Sequence, residues 1–169
     1  MLTLKTITFI YDIREDRILA AVNAKSPDSW SCWLTRRMAL AVLAKSDEFV
    51  SKTSKLLQNA TADTREQLMS FEREAALAKT AGSLTRTPKD VIAGKPRSAE
   101  LLHGVTLNQR GKTYQIELRG EAGGAAIATV QRDELQTIMQ MLLHAAVNGG
   151  WVSAQKTSAA EGAVRGVPH

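Results

Sequence analysis

The sequence predicts an α+β fold of two pseudo-repeated antiparallel β-β-β-α units forming one domain, with an extra helix between them. Three observations carry this expectation. Six short stretches alternate apolar and polar residues at period two, three in each half. Each set of three leads into a stretch of helical period. A further amphipathic stretch and a segment with prolines and glycines separate the two sets. The expected domain covers 1–152, with halves at about 1–58 and 99–152, the extra helix at 64–80 and a basic linker at 81–98. A disordered tail is expected at 153–169, where small and polar residues dominate.

In the first half, Ile7, Phe9 and Tyr11 share one face of a strand, with Thr6 and Thr8 on the other. Asp12 to Asp16 is polar and turn-like, and Ile18, Ala20 and Val22 mark the second strand of a hairpin. Lys25 to Ser29 is a turn, because proline presets φ while aspartate and serine bond to nearby backbone. Trp30, Cys32 and Leu34 then alternate with Ser31 and Trp33 on a third strand. Thr35 is placed to cap a helix from Arg36 to about Leu57, with Met38, Ala41, Val42 and Phe49 as its apolar stripe. After a break at Gln58 to Asp63, the extra helix carries Leu68, Phe71, Ala75 and Ala78 on one stripe. Arg65, Glu66, Arg73 and Glu74 fall in its solvated set.

The opening pattern returns in the second half. Leu101, His103, Val105 and Leu107 alternate, Asn108 to Gly111 supplies a turn, and Tyr114, Ile116 and Leu118 alternate after it. Gly120 to Gly124 makes another turn before a strand from Ala125 to Val130. A helix starts near Gln131, where Asp133 and Glu134 suit the positive end of its dipole. Leu135, Ile138, Met139, Leu142 and Ala146 face the core, and Asn148-Gly149-Gly150 ends the helix. Two origins fit the repeated pattern. One is duplication, giving two units about a pseudo-two-fold axis; the other is chance, since meanders followed by helices are common.

With 44% hydrophobic and 23% charged residues, the 169-residue chain has enough apolar material for a core without staples. The one cysteine, Cys32, excludes an internal disulfide framework and a cysteine zinc site, and suits a reducing cytoplasm. The first ten residues read as a strand and not as a signal peptide, and no apolar run has the length of a membrane span. These points predict a soluble, cytoplasmic chain with no membrane partner.

The net charge of +5 sits in one stretch. Between Lys79 and Arg119, Lys79, Arg86, Lys89, Lys95, Arg97, Arg110, Lys112 and Arg119 face only Asp90, Glu100 and Glu117. Such a segment attracts an acidic partner such as nucleic acid, or is simply a solvated loop. Its charges are spread more widely than in dense nucleic-acid patches.

Two segments stand out. Glu15-Asp-Arg-Ile18 and Trp33-Leu-Thr-Arg-Arg37 resemble an uncharacterised family of small proteobacterial proteins with a Glu-Asp-Arg strand pair and a later Trp-Leu-Thr-Arg-Arg element. The likeness covers roughly the first third of the chain and continues weakly at Glu72-Arg-Glu-Ala-Ala76. It implies no activity. Arg36 and Arg37 open a helix, where the dipole disfavours cations. They either grip an anion or acidic partner, or pair with Asp12, Glu15 or Asp16 across the sheet edge. Trp30 and Trp33 have opposite parity on one strand, so one is expected in the core and the other exposed. An exposed tryptophan beside arginines stacks a nucleobase, anchors a protein interface or covers the base of a helix.

No catalytic, cofactor-binding or metal-ligating set is expected. His103, His144 and His169 lack ligand spacing, and His103 reads as a core residue. Cys32 reads as inertly buried, and Gly120 to Gly124 lacks the lysine and strand-to-helix context of a phosphate loop. The expected function is a non-catalytic interaction module that binds a protein partner or itself, with no cofactor. The alternative is a nucleic-acid binder, with single strands as one candidate ligand by analogy with the topology of Whirly-like proteins. The candidate interaction residues are Trp30, Trp33, Arg36, Arg37, Arg86, Lys89, Lys95 and Arg97.

Overall fold

The computed structural model describes residues 1–80 and 99–153. Strands β1 (Leu2–Thr3), β2 (Ile7–Asp12), β3 (Arg17–Val22) and β4 (Trp30–Leu34) come first. Helices α1 (Arg36–Lys52), α2 (Lys55–Gln58) and α3 (Ala62–Thr80) follow. Strands β5 (Glu100–Arg110), β6 (Thr113–Gly120) and β7 (Ala125–Val130) then lead into helix α4 (Arg132–Asn148). The expected linker, with Arg86, Lys89, Lys95 and Arg97, and the expected tail after Ser153 lie outside the described residues.

The chain is a mixed α+β fold whose seven strands form one sheet in the order β1-β7-β6-β5-β4-β3-β2. β2-β3-β4 and β5-β6-β7 are antiparallel meanders. Two parallel contacts complete the sheet, each two residue pairs long. Cys32 and Trp33 of β4 face Glu100 and Leu101 of β5, and Leu2 and Thr3 of β1 face Ala126 and Ile127 of β7.

β1 and β2 stand at opposite ends of this order, yet only Leu4, Lys5 and Thr6 join them. Fully extended, Thr3 to Ile7 spans at most ~14 Å. A flat sheet would hold its first and seventh strands ~29 Å apart. The sheet therefore rolls until its two ends meet.

Asn23 fastens that seam. Its Oδ1 accepts from the backbone N–H groups of Lys5 (2.9 Å) and Thr6 (3.1 Å), and its Nδ2 donates to the Thr3 carbonyl (2.8 Å). Asn23 is buried and holds φ +51°, a left-handed conformation that asparagine tolerates better than most residues. The Leu4 N–H continues the β7 contact by donating to the Ile127 carbonyl at 2.7 Å.

Strand alternation turns Ile7, Ile18, Val22, Cys32, Leu34, Ile116 and Leu118 to the inside of the roll. There they meet Leu135, Ile138, Met139 and Leu142 of α4. α1 passes over β3 and β5, and α4 passes over β6 and β2. On the outer face, Leu19, Ala21 and Trp33 form a second small cluster with Ile10 and Leu101. No helix among the described residues is long and apolar enough to cross a membrane.

Ala41 is exposed instead of lying on the apolar stripe of α1, Asn108 to Arg110 continue β5 instead of turning, and the structure departs from the sequence expectations in three larger ways. α1 stops at Lys52, not near Leu57. Thr53 Oγ1 turns back to the Val50 carbonyl, and Ser54 Oγ caps the next helix by accepting from the Leu57 N–H. On α3 the expected stripe is displaced: Ala76 is buried and Phe71 is 69% exposed. This helix docks through ion pairs as well as apolar contact, Arg73 to Asp47 and Glu72 to Arg132, and those polar residues rotate the inward face. In β5 a bulge between Leu102 and Gly104 breaks the alternation. Leu102, Val105 and Leu107 turn inward, Leu101 turns outward, and His103 is exposed instead of lying in the core.

Candidate functional site

The two tryptophans lie on opposite faces of β4, and neither is exposed. Trp30 is half-buried, and its Nε1 donates to Glu100 Oε1 at 2.6 Å. Trp33 is 8% exposed beside Leu19 and Ala21 on the outer face. The expectation of one exposed tryptophan fails because β5 lies beside β4, bringing Glu100 to one indole and Leu101 to the other. Glu100 also accepts from the Ala122 N–H. A Cβ at Gly124 would stand 1.9 Å from Glu100 Oε1 and 2.1 Å from Trp30 Nε1, so the glycine-rich turn is what lets the chain wrap this carboxylate. Cys32 is fully buried, and burial, helped by the charge of Glu100, pushes its thiol up to about 12.

Arg36 and Arg37 are exposed at the first turn of α1, after Thr35, whose Oγ1 accepts from the Met38 N–H. The expected pairing with Asp12, Glu15 or Asp16 does not form. Asp12 Oδ1 instead caps its own turn through the Arg14 and Glu15 N–H groups. Asp16 Oδ1 accepts from the Tyr11 hydroxyl at 2.8 Å and from Trp151 Nε1 at 3.3 Å. The described basic residues between 79 and 119 are spread over separate elements. Lys79 on α3 pairs with Asp133 on α4, Arg119 pairs with Glu117 on β6, and Arg110 and Lys112 border the β5–β6 turn.

What sequence reasoning missed is the open side of β5. After Trp33↔Leu101 and Leu34, the chain leaves the sheet through Thr35 into α1. From Gly104 to Arg110, β5 pairs only with β6, and among the described residues no strand meets its other edge. Arg110 ends this stretch, and Gly104 to Gln109 before it contains no charged residue and no proline, the devices that commonly guard an open edge.

α1 runs alongside this stretch. Val42 and Phe49 of α1 and Val105 and Leu107 of β5 line a groove of about 270 Å³, bordered by Lys45, Glu48 and Lys52. The Phe49 ring is fixed edge-on against Tyr114, with centroids 5.9 Å apart. Arg37, Ala41, Lys45, Glu48 and Lys52 recur at spacings of four and three, so they make one exposed row along α1. Lys52 bonds Glu48 within that row. The helical spacing was visible in the sequence; that its polar row borders a free strand was not.

Arg132 shows what a cation at a helix start does when it has partners. It opens α4 and bonds Glu72 Oε2 at 2.8 Å, Tyr114 Oη at 3.2 Å, Thr53 Oγ1 at 3.3 Å and the Val50 carbonyl at 3.4 Å. Burial opposes its charge, but the bonds to Glu72 and Tyr114 outweigh that and raise it above the ordinary arginine value. It ties α1 and α3 to α4 and to β6, and has a structural role. Comparison with family models, with curated proteins and with solved structures finds no match.

Proposed function

We propose that this chain is a non-catalytic interaction module that engages a protein partner through the open edge of β5 and the groove beside it. The observation that carries this reading is the coincidence of an unguarded strand edge with an apolar groove. Either feature alone is common. Together they offer backbone hydrogen-bonding groups for affinity and a side-chain pocket for selectivity, the arrangement that strand-addition modules use. Nucleic acid is the weaker alternative. Arg36 and Arg37 favour it, but Trp33 is buried, Trp30 is half-buried with its indole N–H held by Glu100, and the described basic residues are dispersed.

We also read the two halves as duplicated units about an axis along the roll. Each three-stranded meander begins at a two-pair parallel contact and ends in a helix, and each helix crosses to the first strand of the other half. This supports duplication over chance.

A photo-crosslinking amino acid placed at Asn108, in the open stretch of β5, tests the interaction reading in a cell extract. Protein adducts are expected there and not from the same group at Thr129 on β7. Equal labelling at both positions, or none, refutes the reading. Tight, salt-dependent binding of labelled single strands without protein adducts transfers it to nucleic acid.

A further inference from the structure

We infer that the occupant of the α1–β5 groove is an extended, acidic segment of a partner protein, added to β5 as a further strand with an apolar side chain in the groove. This deepens the interaction reading and rests on it. The free stretch of β5, Gly104 to Arg110, is about 23 Å long at strand rise, and α1, at 17 residues, is about 25 Å long. A strand laid along this edge meets α1 where the groove lies, beside Val105 and Leu107, with Val42 to Lys52 covering about 15 Å of helix.

Alternate residues of such a strand face α1. A residue above Val105 and Leu107 meets Val42 and Phe49, so it is apolar. Its neighbours two positions away on either side meet the exposed row of α1. That row holds three cations, Arg37, Lys45 and Lys52, against Glu48, which bonds Lys52, so it keeps a net charge of +2. Residues four apart on a strand are about 13 Å apart, and Lys45 and Lys52 are about 10 Å apart along the helix, within the reach of long side chains. The recognised pattern is thus acidic-x-apolar-x-acidic.

Charge also decides against a second copy as the occupant. Pairing two β5 edges would bring two cationic rows together on molecules that each carry a net charge of +5. The matching place between β2 and α4 indicates what kind of side chain fills such a space. There Trp151 packs edge-on against Tyr11, with centroids 5.5 Å apart.

The test is selection of a random twelve-residue peptide display library on the full chain, followed by anisotropy with the recovered peptides. Acidic-x-apolar-x-acidic sequences are expected. Their affinity should fall about ten-fold in Lys45→Glu/Lys52→Glu, whose altered residues are exposed, and should fall with salt. Leu107→Asp should abolish binding, with circular dichroism confirming its fold. Peptides without acidic residues that still need Leu107 overturn the acidic occupant but leave the interaction reading intact. Peptides indifferent to Leu107→Asp, or no enrichment, overturn both. Displacement by a single-stranded oligonucleotide that itself binds the groove assigns the site to nucleic acid and overturns this inference.

Discussion

β2 and β5 each open a three-stranded antiparallel meander and have been finished differently. Each follows a short parallel contact, pairs with a single antiparallel neighbour along most of its length, and has a helix passing over it. At β2 the space is sealed by the chain itself. Trp151, 7% exposed, lies against Tyr11, and its Nε1 reaches Asp16, while Gly149 lets α4 end close to the Tyr11 ring. At β5 the corresponding space is the groove. One aromatic residue after a helix fills at β2 the kind of space that stays open at β5, so the difference lies in side chains.

That comparison is broken most severely by Trp151→Ala. Removing the seal should lower unfolding free energy by about 3–4 kcal/mol, read from urea midpoints. Arg132→Ala attacks the other end of α4 and should cost about 2–3 kcal/mol, because Glu72 and Tyr114 lose their partner.

Cys32 gives a pH-dependent test beside the β4–β5 contact. Its folded thiol titrates at about 12, against 9.0 unperturbed. The unfolded chain therefore gives up this proton first, and stability is intact below pH 9 and falls as pH rises from there toward 12. The expected slope attributable to this group is about 1.4 kcal/mol per pH unit. The difference between the wild type and Cys32→Ala in alkaline urea titrations isolates it; parallel curves would refute the assignment. At the open groove, Leu107→Ala should cost less than about 1 kcal/mol, and Arg36→Ala/Arg37→Ala should stay within about 0.5 kcal/mol in the same measurement.

The elements that depend on neighbours in sequence were legible. Thr35 as a cap, the first hairpin, the β6 alternation and the inward residues of α4 all follow from local chemistry and period. What failed depends on contacts across the fold. The extra residue in the β5 bulge shifts which residues turn inward, and α3 is rotated by Arg73 and Glu72, whose partners lie on other helices. The candidate site was half visible. Cations at a helix start flagged Arg36 and Arg37, yet the same anomaly at Arg132 passed unnoticed because Glu72 is sixty positions away. The open edge of β5 was invisible, since it is defined by where β4 leaves the sheet.

The line where β1 meets β7 has a consequence for the order in which the molecule comes apart. Both meanders are built from hairpins between near neighbours in sequence, whereas β1 and β7 meet across almost the entire described chain and share two residue pairs. Joining such distant segments has the largest loop-closure entropy against it and only two residue pairs and the Leu4–Ile127 bond in its favour. The roll should therefore open at this line without unfolding elsewhere. Hydrogen exchange at the Leu4 amide, which donates to the Ile127 carbonyl, should run ahead of exchange in β3, so this line between distant segments is also a weak cooperative unit.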